Sequence, residues 1–192
     1  MATRPSNWNL PNALTLLRIV LVPFFIWAFA ADGGAYGPLR WVAVVLFLVA
    51  IYTDKLDGDI ARARGLVTSF GKIADPIADK LLIGSALVML SAVGELWWWV
   101  TIVMLVREVG ITLLRFVVIR YGVMAASKGG KLKTVMQTVA IFVYLLPLTP
   151  PTPWLSIVAL VIMLAALAVT VVTGVDYLIK AAQLRHAGRT RR

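Results

Sequence analysis

Two pairs of aspartates carry the chemistry open to this chain: Asp54 with Asp57, and Asp75 with Asp79. With Asp59 they make up five of only nine acidic residues. Spacings of three and four place each pair on one face of a helix. Four carboxylates held close together need positive charge among them. Clustered hard oxygen ligands suit Mg²⁺, Mn²⁺ or Ca²⁺ and not a soft metal. Two ions in such a site would stabilise both the attacking and the leaving oxygen of a displacement at phosphorus. Spacing alone leaves a second reading open, a structural network in which the acids pair with nearby lysines and arginines.

The elements that must position these acids are apolar. Sixty per cent of the residues are hydrophobic, and the mean hydropathy is +0.88. Carboxylates near lipid are costly, so their default reading is a functional site. Runs of the length a spanning helix needs predict six spans, at 13–31, 40–61, 71–93, 97–121, 131–149 and 154–182. Only helices or closed barrels satisfy the backbone in lipid. The expected fold is therefore an all-α polytopic membrane protein with six transmembrane helices. An N-terminal juxtamembrane amphipathic segment (1–12, with Trp8 and Leu10) precedes them, and a basic cytosolic tail (183–192) closes a single domain of 1–192. Arg18, the run from Ile19 to Ala30 and the small Ala28-Phe29-Ala30 also fit a signal peptide with its cleavage site. A retained first span is preferred because five more follow. There is no cysteine, hence no disulfide or thiolate chemistry.

A formal net charge of +10 raises the question of nucleic acid, but its distribution excludes that use. Lys55, Arg62, Arg64, Lys72 and Lys80 surround the turn between spans two and three. Arg120, Lys128, Lys131 and Lys133 lie between spans four and five, and Arg185, Arg189, Arg191 and Arg192 close the chain. The opposite loops carry only Arg40. This asymmetry puts both termini and the aspartates on the cytosolic side of a cell membrane, with the charge serving orientation and anionic lipid. Six of the seven tryptophans, all but Trp8, fall near the outer helix ends, as an aromatic belt would.

Depth then brings the aspartates together. From Trp41 to Thr53 span two offers 13 uncharged residues, about 20 Å of helix against a hydrocarbon core of about 30 Å. Span three offers the same length from Leu81 to Val93. Each span reaches full length only if its aspartate end is counted. The two run antiparallel through the short turn around Arg64–Ser69, so the four carboxylates sit at one depth in the cytosolic leaflet and converge. Pro76 fits either the first turn of a helix capped by Asp75 or a kink in a helix begun at Gly71.

The stretch reads Asp54-x2-Asp57-Gly58-x2-Ala61-Arg62-x8-Gly71-x3-Asp75-x3-Asp79. Gly58 and Ala61 leave room where a backbone or ligand approaches, and Arg62 is placed to hold a phosphate by two hydrogen bonds. At every fixed position this string resembles the motif of the CDP-alcohol phosphotransferases. The resemblance covers most of the chain. Asn12, Thr15 and Arg18 in NLPNALTLLR, the DPIADK run, REVGITLLR at Arg107–Arg115 and GKLKTVMQ from Gly130 are similar to members that use glycerol 3-phosphate as acceptor.

The resemblance implies a six-helix membrane domain, usually a homodimer, and a reaction. An alcohol attacks the phosphorus next to the lipid in CDP-diacylglycerol, and CMP leaves. Carried over by position, Asp54, Asp57, Asp75 and Asp79 bind two divalent cations, Mg²⁺ or Mn²⁺. Asp79 is also the general base for the attacking hydroxyl. Asp57, Gly58, Ala61, Arg62 and Gly71 hold the cytidine diphosphate, while Asp59, at a variable position, faces water. Glycerol 3-phosphate is a dianion, so a basic subsite is needed beside the metals, for which Arg107, Arg115 and Lys131 are the candidates.

Blander readings stand beside these. Arg107 falls near mid-membrane, where a buried Arg–Glu network with Glu108 is as good an account as substrate binding. Lys133 is read as a mark of the positive-inside loop. His186, the only histidine, lies in the basic tail without a second one to share a metal. Sister chemistry with inositol phosphate, serine or phosphatidylglycerol as acceptor remains open. A cation carrier or channel is disfavoured, because all four acids lie at one depth and a path would string polar groups through several spans.

Overall fold

The computed structural model describes residues 9–66, 68–118, 128–148 and 152–189, and among these every regular element is an α-helix. In chain order they are α1 (Leu10–Asp32), α2 (Pro38–Ala63), α3 (Ser69–Ala92), α4 (Trp98–Val118), α5 (Lys128–Leu145) and α6 (Pro153–Arg189), one for each apolar run.

Local chemistry explains the boundaries. Asn9 caps α1 through its side chain, which accepts from the Asn12 amide at 3.0 Å, and Pro11 occupies the first turn where its missing N–H costs nothing. Residues 10–12 are thus the first turn of α1 and not part of a separate juxtamembrane segment; residues 1–8 lie outside the described residues. Gly33, at φ +57°, ends α1 in the left-handed conformation that glycine adopts freely. The Asp32 carboxylate accepts from the amides of Tyr36 (3.1 Å) and Gly37 (2.9 Å), which fixes the loop into α2. Thr68 caps α3, its hydroxyl accepting from the Gly71 amide at 3.0 Å. Pro76 therefore lies inside a helix begun at Ser69, where it withholds one backbone donor. At the other end of the chain α6 runs on to Arg189, so helical backbone takes in most of the segment expected to be a separate tail.

α1 lies most extensively along α2 and also touches α3; α5 pairs with α6, which contacts α4 as well. Phe25, Phe29, Phe47, Leu82, Leu87, Leu90 and Ile141 fill the centre, and fully buried Ala28, Ala43, Ala50 and Ala86 let helix backbones approach. Among the described residues, the two largest side chains with no exposed surface are both arginines, Arg18 and Arg40.

Arg40 corrects an expectation. It is not a loop charge but a buried residue of α2. Its guanidinium donates to Glu95 at 2.5 Å and to the carbonyls of Leu145 (2.9 Å) and Tyr144 (3.0 Å), and it lies 4.0 Å from the centre of the Phe29 ring. One side chain thereby joins α2, the α3–α4 turn and the end of α5. Its charge is neutralised locally, which makes the charge asymmetry between the two ends of the bundle sharper than the sequence count.

The outer surface is apolar. Trp27, Tyr52, Val106, Trp154 and Val172 are each more than half exposed. α1 and the Pro153–Gln183 part of α6 are long and apolar enough to cross a membrane, with mean hydropathy 2.1 and 2.9. Such a surface suits lipid.

Candidate functional site

The aspartates occupy the last turns of α2 and the first half of α3, and α1 organises them. Asn12, Thr15 and Arg18 recur every three residues and so share one face of α1. The Arg18 guanidinium donates to Asp54 Oδ1 at 2.6 Å and, through its other terminal nitrogen, to Asp57 Oδ2. Thr15 donates to Asp75 Oδ1 at 2.6 Å, with Asp57 Oδ2 also in reach at 3.4 Å. One turn earlier, Asn12 Oδ1 accepts from the Thr68 hydroxyl at 3.0 Å. Three polar residues of α1 thus clasp α2 and α3.

Burial grades the four carboxylates. Asp57 is 3 % exposed. The Asp54 side chain is 48 % exposed, and Asp75 and Asp79 fall between. Asp57 lies within the field of Arg18, Asp54 and Asp75, and Asp79 within that of Asp54, Glu108, Lys80 and Arg18. The four therefore share one charge neighbourhood. Among the described residues, however, no three acidic or histidine side chains draw close enough to hold one ion among them. Arg18 instead takes an oxygen of Asp54 and one of Asp57. In kind the donor set fits a hard divalent cation, being all carboxylate, with one arginine as the buried counter-charge to several acids.

The residues between the pairs line the exposed side of the same helix end. Arg62 folds back over Gly58, where an added Cβ would come within 3.2 Å of its guanidinium, and it donates to Asp59 at 2.8 Å. Both partners of that ion pair are more than half exposed, so Arg62 is free to turn to a ligand at little cost. Ala61 is half-buried beside them. Gly71 is different. It is buried, and a Cβ there would lie 3.0 Å from Asn12 Oδ1, so its lack of a side chain serves the close approach of α1 to α3.

Asp79 opens onto a cavity between α3, α4 and α5, whose polar lining includes Lys80, Glu108, Lys133, Thr134 and Gln137. Lys133 is only 4 % exposed and forms an ion pair with Glu108 on the cavity wall. It is a buried, paired residue beside Asp79 and not a loop charge, a correction to the reading above. Arg107 is turned toward α6: it donates to the Thr170 carbonyl at 3.2 Å and to the Thr173 hydroxyl at 2.8 Å, with Glu108 at 3.3 Å. The structure thus supplies partners that account for its burial. The side chains of Arg115 and Lys131 lie outside the described residues.

The roles of Arg18, Thr15 and Asn12 do not follow from local sequence pattern. The available signal was an arginine inside an apolar span, with polar residues one and two turns before it on the same face. Lys133 had a weaker signal, since its partner Glu108 lies 25 residues away on another helix.

The family model described as CDP-alcohol phosphatidyltransferase matches residues 8–172. A probable phosphatidylglycerophosphate synthase of Mycobacterium tuberculosis (strain H37Rv) is 52% identical over 191 residues, covering 100% of this chain and 89% of that protein. The CDP-diacylglycerol–glycerol-3-phosphate 3-phosphatidyltransferase of Bacillus subtilis (strain 168) is 41% identical over 72% of this chain and 77% of its own. The protein of the same name from Escherichia coli (strain K12) is 35% identical over 90% of this chain and 94% of its own.

Proposed function

Because the chain belongs to the CDP-alcohol phosphatidyltransferase family, we propose that it moves the phosphatidyl group of CDP-diacylglycerol onto glycerol 3-phosphate, giving phosphatidylglycerophosphate and CMP. The observation that carries this reading is the gathering of Asp54, Asp57, Asp75 and Asp79 at one end of α2 and α3, with Asp79 facing a cavity that also holds lysines.

In this account Asp54, Asp57, Asp75 and Asp79 hold two divalent cations, Mg²⁺ or Mn²⁺. The chemistry such ions supply is neutralisation of the diphosphate and Lewis-acid polarisation at phosphorus. The chain's own residues do the rest. Asp57, Gly58, Ala61 and Arg62 receive the cytidine diphosphate, with Arg62 leaving its exposed pair with Asp59 for a charge-assisted bond to phosphate. Gly71 keeps α1 against this region. Asp79 accepts the proton of the acceptor hydroxyl as its oxygen bonds to the lipid-side phosphorus, and the bond from that phosphorus to the CMP oxygen breaks. A carboxylate is a modest base at neutral pH, so proximity to the bound acceptor must contribute. Arg115 and Lys131 are the proposed partners of the acceptor phosphate, and Lys80 adds positive charge to the cavity that Asp79 faces.

The six helices are read as six spans of a cell membrane, with termini and aspartates facing the cytosol, where glycerol 3-phosphate and CMP are soluble. A homodimer is the proposed assembly. Purified protein supplied with CDP-diacylglycerol and, in turn, glycerol 3-phosphate, glycerol, serine and inositol phosphate tests the reading. Fastest CMP release with glycerol 3-phosphate is expected. Faster release with inositol phosphate would make this a sister enzyme with the same reaction centre.

A further inference from the structure

Arg18 has no exposed surface, yet its partners are two of the four proposed metal ligands. Among the described residues its Nε finds no hydrogen-bond partner, and the guanidinium meets the carboxylates through its two terminal nitrogens. An arginine cannot give up its charge, and burying one is tolerated only against acids. Thr15 satisfies Asp75 with a neutral hydroxyl, and no other cation of α1 reaches the cluster. Arg18 is thus a built-in counter-ion whose partners, Asp54 Oδ1 and Asp57 Oδ2, belong to the oxygens a divalent cation would use.

From this competition we infer that Arg18 is a positioning residue that sets the divalent-ion affinity of the aspartate cluster. It holds Asp54 and Asp57 in place and yields their oxygens as an ion binds, which weakens binding relative to an uncompensated cluster. The inference rests on the metal reading above. A divalent ion placed near Arg18 is also repelled by its charge, so removing that charge tightens binding. Keeping the charge but losing the two-pronged grip tightens it less.

Mn²⁺ titration of purified protein, followed by the magnetic resonance signal of the free ion and by thermal unfolding across the same series, is the test. Arg18→Gln should lower the half-saturating Mn²⁺ concentration about tenfold, and Arg18→Lys about threefold. Arg18→Gln should also melt well below the unsubstituted protein without added ion and approach it as Mn²⁺ saturates. Weaker Mn²⁺ binding in either variant would overturn the inference. So would an equal loss of melting temperature with and without the ion, which marks a purely structural residue. Because Arg18→Lys retains a buried cation for Asp57, it gives the answer even if Arg18→Gln does not fold. Binding of Mn²⁺ that Asp57→Asn abolishes but Arg18→Gln fails to tighten would sink this inference alone. No Mn²⁺ binding by the unsubstituted protein would sink the metal reading and this inference with it.

Discussion

Lys133 of α5 and Glu108 of α4 form an ion pair on the wall of the cavity that Asp79 faces. Lys133 is nearly inaccessible, so its ammonium depends on Glu108 and Glu108 depends chiefly on it. Removing Lys133 leaves Glu108, only partly exposed, with the longer 3.3 Å pair to Arg107 alone. Lys133→Met should cost about 1–3 kcal/mol of stability, and adding Glu108→Gln should restore a good part of it. Thermal unfolding of both single variants and the double variant measures this coupling. Additive losses would mean that the two do not act as a pair.

Gly71 and Asn12 make a second such test. A methyl group at position 71 meets Asn12 Oδ1 at 3.0 Å, tighter than most packed contacts, so Asn12 must give way by a few tenths of an ångström. Gly71→Ala should destabilise by about 1–3 kcal/mol through displacement of α1 from α3. Pairing it with Asn12→Ala should recover stability, at the expense of the bond to Thr68. A Gly71→Ala variant as stable as the starting protein but slow only with CDP-diacylglycerol would place the glycine at the donor instead.

Much of this was legible in the sequence, for physical reasons. Apolar runs mark the helix starts to within about three residues, because hydropathy is a local property. The aspartate pairs were legible for the same reason: periodicity puts them on helix faces, and the short turn between α2 and α3 aligns them. What the sequence did not yield depends on helices packing side by side. Arg18 reaches acids 36 and 39 residues away, Arg40 reaches Leu145 at a separation of 105, and Arg107 reaches Thr173 at 66. No local pattern announces such partners. Arg40 and Lys133 read as loop charges in the sequence because a count by position cannot tell a paired, buried cation from a solvated one.

Orientation has a direct check that the absence of cysteine makes clean. Single cysteines introduced at residues 2 and 192 should both resist a membrane-impermeant thiol reagent added to intact cells and both react after lysis, since the proposed topology puts the basic segments on the cytosolic side. Labelling of either from outside would overturn the topology and put the aspartates in the wrong leaflet.

Recognition of the acceptor should separate from recognition of the donor. A charge-assisted hydrogen bond lost from the phosphate is worth about 1.5–3 kcal/mol, or roughly ten- to a hundredfold in binding. Arg115→Ala and Lys131→Ala should raise the apparent KM for glycerol 3-phosphate by that factor and leave that for CDP-diacylglycerol nearly unchanged. Arg107→Lys should act mainly on stability, because its bonds run to α6. Equal loss for both substrates in the Arg115 and Lys131 variants would assign those residues to the fold or to the donor.

The most direct measurement is turnover of CDP-diacylglycerol and glycerol 3-phosphate by purified protein as a function of divalent ion, in the starting chain and in Asp57→Asn and Asp79→Asn. Both substitutions keep size and remove ligand charge, and unfolding curves establish that each variant is folded. The account predicts no turnover in excess chelator, recovery on adding Mg²⁺ or Mn²⁺, and a fall of roughly a hundredfold or more in each variant at saturating ion. Full turnover in chelator, or undiminished turnover by folded Asp79→Asn, would contradict it.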